Sequence, residues 1–256
     1  MKITFLGTGT SVGIPVIGCK CPVCHSADPR NRRRRASLYV ESGSIGIVID
    51  TPPDFREQAL QFAVPRVDAV LITHCHADHI FGFDDIRRYN TLQDMVIPAY
   101  GSPETIADMN RIFFYVHKES PPDTYRPRIL FQEIAGPFEV VGVRVTPIPV
   151  RHGAVQTLGY RLDAGGCSLG YVPDCHEMSD EGLALLAGVD VMVLDALRHK
   201  PHSTHLHLEA SAGILRRIGA GQSFMTHMNH DLEHAATESE IGPGIHLAYD
   251  GLRLAW

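Results

Sequence analysis

Asp68-Ala-Val-Leu-Ile-Thr73 runs straight into His74-Cys-His-Ala-Asp-His79, so an apolar stretch is followed by three imidazoles and a carboxylate within six residues. Neutral imidazole and carboxylate are the ligands that borderline divalent ions such as zinc and manganese take at neutral pH. Desolvating so many of them without a partner would cost several kcal/mol each, so their density argues for metal. The apolar run reads as a strand, and its end is where a ligand would be held.

Three more donors each follow an apolar strand. His152 closes Val145-Thr-Pro-Ile-Pro-Val-Arg-His152, Asp174 closes Leu169-Gly-Tyr-Val-Pro-Asp174, and His227 closes Ser223-Phe-Met-Thr-His227. Strand-end placement puts side chains from distant sequence on one rim. A single His or Asp in such a place is more often a cap or a core hydrogen bond; beside the cluster, the three read as a set.

Short apolar strands are predicted at Ile3–Thr8, Ser37–Glu41, Ile45–Asp50, Ala69–Thr73, Val96–Tyr100, Val143–Ile148, Gly159–Leu162, Ser168–Val172, Val191–Asp195, Ser223–Thr226 and Ile245–Tyr249. Helical spacing places Phe55, Ala59, Leu60 and Ala63 on one face, Leu183, Leu186 and Ala187 on another after a Ser179 N-cap, and Leu208, Ala212 and Leu215 on a third. Strand pairs leading into helices predict an α/β fold in which helices cover the sheet. With no linker, internal repeat or low-complexity tract apart from Arg32-Arg-Arg-Arg35, residues 1–256 read as a single domain. Three prolines between Ser120 and Pro127 predict a loop over one end, and the segment from Tyr115 to Arg128 is expected to help shape the substrate pocket.

A chain of 256 residues can bury roughly 70–75% of its unfolded surface without disulfide staples. Of six cysteines, Cys19, Cys21 and Cys24 lie close together, which looks like a metal knuckle and a reducing compartment. Met1-Lys-Ile-Thr-Phe-Leu-Gly7 has too short an apolar stretch for a signal peptide, and nowhere do about 18 apolar residues run together. A soluble cytoplasmic protein without a membrane partner is the expectation. Lys plus Arg total 23 against 29 Asp plus Glu, and the net charge of −6 offers no general attraction to nucleic acid. Bound cations would offset part of it.

In the order Asp50, then His74, His76, Asp78 and His79, then His152, Asp174 and His227, the chain resembles the metallo-β-lactamase superfamily of metal-dependent hydrolases over nearly its whole length. The resemblance implies an αββα sandwich and two divalent ions, zinc or manganese. His74, His76 and His152 would hold the first and Asp78, His79 and His227 the second, with Asp174 bridging them through its two oxygens. Asp50 would stand behind the ligands and orient one of them or the cluster loop. Spacing agrees: residues two apart at a strand end aim at one point, whereas Asp78 and His79, one turn on, can face a second ion about 3.5–4 Å away. A water shared by two cations loses a proton near neutral pH and would supply hydroxide as the nucleophile; Asp78 is expected to be catalytic as well as a ligand.

Cys19-x-Cys21-x-x-Cys24 supplies three thiolates in a knuckle loop at about residues 18–31, and a structural zinc needs a fourth ligand. His230, three residues after His227, is the candidate; His25 is adjacent to Cys24 and geometrically awkward. The bland alternative is three reduced, unliganded cysteines. With Gly7-Thr-Gly-Thr10, Val16-Ile-Gly-Cys-Lys-Cys21 and Tyr249-Asp-Gly251, the arrangement resembles the branch of the superfamily that contains the phosphoribosyl 1,2-cyclic phosphate phosphodiesterases of phosphonate degradation.

A phosphodiesterase also needs an acid for the departing alkoxide. Leu197-Arg-His-Lys-Pro-His-Ser-Thr-His-Leu-His207 holds four histidines beyond the metal set; His205 matches the family's catalytic histidine, with His202 and His207 as alternatives and an exposed turn as the plain reading. Arg198 and Lys200 would neutralise a phosphate or be solvated. The Arg32–Arg35 run reads as a solvated or carboxylate-paired face, although one guanidinium could grip a phosphate. Cys75 and Cys175 flank ligands without needing to bind, and Asp174 rather than a cysteine at the bridging position favours phosphoesters over lactams. The expected protein is thus a phosphodiesterase for a small cyclic or nucleotide-like ester, with two active-site ions, one structural zinc, and by base rate a homodimer. Its rivals are a tRNA 3′-end endonuclease, for which no basic arm is visible, and a ligand carrier like the pyrroloquinoline-quinone biosynthesis protein.

Overall fold

Strands that are apolar at every position need cover on both faces, and this requirement sets the layers. In the computed structural model, which describes residues 1–117 and 125–256, the chain builds two mixed sheets. The first contains β1 (Lys2–Gly7), β2 (Ser37–Ser42), β3 (Ile45–Ile49), β4 (Ala69–Leu71), β5 (Ile97–Gly101) and β6 (Ile129–Glu133) in that spatial order, with the C-terminal strand Arg253–Ala255 beside β1. The second contains β7 (Phe138–Val140), β8 (Val143–His152), β9 (Val155–Ala164), β10 (Cys167–Val172), β11 (Glu177–Met178), β12 (Val191–Asp195), β13 (Gln222–Thr226) and β14 (Ile245–Leu247). Its order is β11-β8-β9-β10-β12-β13-β14, with β7 pairing to β8.

Alternation along each strand splits its residues between two cores. Leu38 and Val40 of β2 and Val191 and Val193 of β12 face the space between the sheets, where Phe5 and Phe224 meet with ring centroids 5.8 Å apart. Tyr39 points the other way, under the helices α1 (Phe55–Gln61), α2 (Ala77–Ile80), α3 (Arg87–Gln93) and α4 (Pro103–Ile112). Met192 and Leu194 pack under α5 (Asp180–Leu186) and α6 (Leu208–Ile218), while α7 (His234–Glu240) lies beside β14. The layers are therefore helix, sheet, sheet, helix: an αββα sandwich.

Some expectations change. Leu60 is 63% exposed, and Gln58 takes the buried place on α1 because its amide donates to the Arg35 carbonyl at 2.9 Å. The β8–β9 hairpin runs on to His152 and Val155, since exposed Pro149 and Arg151 alternate with buried Ile148, Val150 and His152. Helix α4, not anticipated, begins where the Ser102 hydroxyl accepts from the Thr105 amide at 3.1 Å with Pro103 in the first turn. The expected proline-rich loop lies outside the described residues from Ser120 to Thr124. Among the described residues no helix is long and apolar enough to cross a membrane.

Direction matters most for function. β3 and β4 are parallel, as are β10, β12 and β13, and β8 runs with β10 because both are antiparallel to β9. Their carboxyl ends open on one rim, where α/β sheets commonly hold ligands.

Candidate metal centre

The loop after β4 is built to present donors. The Asp50 carboxylate, fully buried after β3, accepts from the Thr73 amide, the Thr73 hydroxyl and His79 Nδ1, each at 2.8 Å. With Nδ1 thus engaged, His79 turns Nε2 into the rim. His76 occupies the N-cap of α2 without a side-chain capping bond, so its ring can turn toward His74 while Asp78 and His79 follow on the first turn. On the opposite sheet, His152 Nδ1 donates to the Thr204 carbonyl at 2.8 Å, which leaves Nε2 as the lone-pair atom.

Two donor sets meet at Asp174. On one side His74 Nε2 lies 2.8 Å from His76 Nδ1 and 3.9 Å from Asp174 Oδ2, and His152 Nε2 lies 3.5 Å from the same oxygen. On the other, Asp174 Oδ1 is 3.2 Å from His79 Nε2 and 3.4 Å from His227 Nε2, while Asp78 Oδ2 is 3.4 and 3.6 Å from those nitrogens. Donors about 2.0–2.1 Å from a tetrahedral ion stand about 3.3–3.5 Å apart. His79 Nε2, His227 Nε2 and Asp174 Oδ1 are buried without a hydrogen-bond partner, each ordinarily a penalty of about 1–3 kcal/mol. Orphaned polar atoms converging at this spacing fit divalent cations.

Electrostatics give the same fit. Burial holds His74 well below its ordinary value and His152 at about 4, so both are neutral donors. Burial opposes charge on Asp174, but the His227 and His79 rings outweigh it and hold the carboxyl well below the usual range. Burial likewise opposes charge on His79 and His227, yet Asp174 leads the carboxylates that raise both. Those imidazolium protons balance the carboxylates, and they are the protons that a divalent ion displaces.

The cleft above the donors has a volume of about 290 Å³ and is lined by Ser11, His76, Asp78, Thr204 and His205 among others. His205 stacks on His227 with centroids 4.8 Å apart, and its Nδ1 donates to Asp195 Oδ2 at 2.8 Å. The same oxygen accepts from the Cys175 and Leu206 amides at 3.0 and 3.3 Å. Asp195 was missed as a functional residue, although it closes the apolar strand Val191–Asp195 just as Asp174 and His227 close theirs. His202, with Nδ1 3.3 Å from the Thr204 amide, and His207, at the N-cap of α6, do not line the cleft. Arg198 spends its guanidinium on the Lys200 and Pro201 carbonyls. Cys75 points to the Thr105 carbonyl and Cys175 is buried, both outside the donor sets.

A second cluster sits beside the first. His230 Nδ1 lies 3.3, 3.5 and 3.5 Å from the sulfurs of Cys19, Cys21 and Cys24, edge lengths that suit a tetrahedral zinc. Amides of Val16, Cys21 and Cys24 point at the sulfurs, and the Cys24 amide does most to lower the Cys21 thiol to about 6. His25 lies apart, exposed, against the Cys21 carbonyl. The arginine run departs in part from expectation. Arg35 pairs with Asp54 at 2.9 Å, but Arg33 is buried, donating to the Asn229 and Leu232 carbonyls rather than meeting solvent or a carboxylate.

An αββα sandwich carrying a paired His/Asp donor set on its rim defines a metal-dependent hydrolase. A family model described as the beta-lactamase superfamily domain matches residues 46–228, and the chain belongs to that superfamily. It is similar to a crystallised diphosphatase of the PhnP family, with 38% identity and a TM-score of 0.91 covering 99% of this chain and 96% of that one. It is also 32% identical to an octanoyltransferase of Porphyromonas gingivalis over 98% of its own length, but spans about half (51%) of that relative. Zinc-bound PqqB from Methylobacterium extorquens shares the fold over the full length of both chains at 22% identity and a TM-score of 0.79.

Proposed function

We propose that this hydrolase is a phosphodiesterase for a small organic phosphodiester. One observation carries the reading: Asp174 presents one oxygen to each of two donor sets, with His205 on the cleft wall beside them. His74, His76 and His152 would hold one ion, Asp78, His79 and His227 the other, with Asp174 shared. Two divalent ions, zinc or manganese, supply a nucleophile at neutral pH and polarise the phosphoryl oxygens when bound.

His205 would deliver the proton to the departing oxygen. Burial lowers its imidazole to about 4, so the ring would take up its proton only beside an anionic ester in the cleft, while Nδ1 stays bonded to Asp195. A cleft of about 290 Å³ on a chain of net charge −6 favours a small ester over a tRNA. That the PhnP-family relative is a diphosphatase favours one neighbouring reading, attack on a phosphoanhydride. Cys19, Cys21, Cys24 and His230 would hold a structural zinc.

The test uses metal-reconstituted protein with bis-p-nitrophenyl phosphate, a panel of cyclic phosphates and a panel of nucleoside diphosphate conjugates. Hydrolysis of the diesters, lost in His76→Ala, supports the reading; preference for the conjugates moves it to the anhydride; hydrolysis that survives His76→Ala overturns it. About three ions per chain suits the enzyme, whereas about one would suit a ligand carrier.

A further inference from the structure

Arg33 is among the largest fully buried side chains, at 1% exposure, and the reaction proposed above leaves it without a task. Its partners are carbonyl-type oxygens: Nη1 donates to Asn229 O at 2.9 Å, and Nη2 to Leu232 O at 2.7 Å and Asn31 Oδ1 at 3.4 Å. A buried guanidinium held this way is costly to keep, and burial lowers its pKa to about 10. A neutral side chain would fill the space at less expense, so the charge needs a reason.

The two main-chain carbonyls flank His230, and the same segment begins at His227. His227 stands in the left-handed region at φ 58°, a conformation a non-glycine residue keeps only when its surroundings over-determine it. Backbone bonds hold the start of the segment: Met228 N donates to Thr8 O, Thr10 N to Met228 O, and Asn229 N to Leu197 O, at 2.9, 3.1 and 2.9 Å. Arg33 adds side-chain restraint from just beyond the knuckle loop, where its own backbone pairs in both directions with Ile14. One guanidinium thus ties the base of the Cys19–Cys24 loop to the segment that supplies a donor to each cluster.

We propose that Arg33 is a positioning residue for the ion held by Asp78, His79 and His227: it fixes the 227–232 segment so that His227 Nε2 stays in place, and acts on the His74, His76 and His152 position only weakly. The inference rests on the two-ion reading above. Residues behind metal ligands typically set affinity by about 10–100-fold, and that is the size expected here for one position and not the other.

Cobalt titration of the apoprotein, followed by visible absorption and calorimetry, reads the affinities directly and needs no turnover. His227→Ala identifies which of the two active-site affinities belongs to its position, and the thiolate-to-cobalt absorption reports the knuckle separately. Arg33→Met is expected to weaken the His227 position about 10–100-fold and the other less than about threefold, with the knuckle signal retained. Arg33→Lys, which keeps the charge but loses the fork, is expected to fall between, and serves if Arg33→Met fails to fold. Equal loss at both positions, or no loss in either variant, overturns the inference. A wild-type protein that takes up no pair of active-site ions would instead overturn the two-ion reading beneath it.

Discussion

Asp195→Asn separates a residue that holds a catalytic proton from one that merely ties a loop. Asp195 Oδ2 gathers the His205 Nδ1 proton and the Cys175 and Leu206 amides at 2.8, 3.0 and 3.3 Å. An asparagine carbonyl in that place can still accept from all three, so the strand end and the ring orientation survive. The negative charge, which burial opposes by raising the Asp195 carboxyl and which the His227 ring and the Cys175 and Leu206 amides favour, does not. A hydrogen bond to a charged group contributes about 1.5–3 kcal/mol, which corresponds to about one to two pH units on His205 and about 10–150-fold in any step that needs its proton. The sign follows from the charge: a carboxylate favours the imidazolium, its neutral amide does not, so the His205 pKa falls and the acid is lost at lower pH. Measured as kcat against pH, the alkaline limb should move to lower pH by about one to two units. A methyl phosphodiester, whose alkoxide must be protonated to leave, should slow about 10–150-fold; a p-nitrophenyl ester, whose phenolate departs unaided, should slow less than about threefold. Equal loss on both esters would refute proton delivery through His205 and leave Asp195 a structural acceptor.

Asp50→Ala strips His79 and Thr73 of their shared acceptor and should cost about 10–100-fold in affinity for the ion at the His79 position, read by metal analysis after graded dialysis against a chelator. Because Asp174 and its neighbours raise His79 and His227 above the ordinary histidine value, both carry protons that an incoming ion must displace. Affinity at that position should therefore rise with pH, by up to about tenfold per unit for each proton released, and fall below neutrality; proton release on binding, followed with an indicator dye, checks the stoichiometry. Gly7→Ala would put a methyl 2.0 Å from the Arg35 carbonyl and 2.9 Å from that of Arg34, a backbone clash expected to destabilise by about 1–3 kcal/mol or more and visible as a lowered thermal midpoint.

Much of the rim was readable because the donors obey one local rule, an apolar run ended by a His or Asp. Six residues between His74 and His79 carry enough chemistry to stand out alone, and the three-residue step from His227 to His230 puts both clusters within reach of one segment. Asp195 obeyed the same rule and was passed over, since a lone strand-end aspartate carries no motif; only the 2.8 Å approach of His205, ten residues on, gives it meaning. Arg33 was misread for a different reason. Composition assigns arginine to the surface, while its burial here comes from carbonyls of residues 229 and 232, a contact almost 200 positions away that no local pattern encodes. Gln58 displaced Leu60 from the core in the same way, through the carbonyl of Arg35, more than twenty positions away.

Parallel pairing explains why such distant residues meet. β4 and β10 each end in a donor, and lying in facing sheets they open toward each other across the inter-sheet core rather than along one surface. A strand that simply continued would carry the next side chain past the gap. At the ends of β3 and β13 the chain instead turns through the left-handed region, at Asp50 with φ 62° and at His227 with φ 58°. Each such residue stores roughly 1–3 kcal/mol and persists only under restraint. Asp50 is restrained by three hydrogen bonds to its own carboxylate, and His227 by the pairing of Met228 with the Gly7-Thr-Gly-Thr10 turn. The glycines of that turn sit where the backbone of residues 33–35 approaches too closely for any side chain. Strain at the rim, glycines beneath it and the buried arginine beside it are thus three parts of one solution to aiming imidazoles across a gap between two sheets.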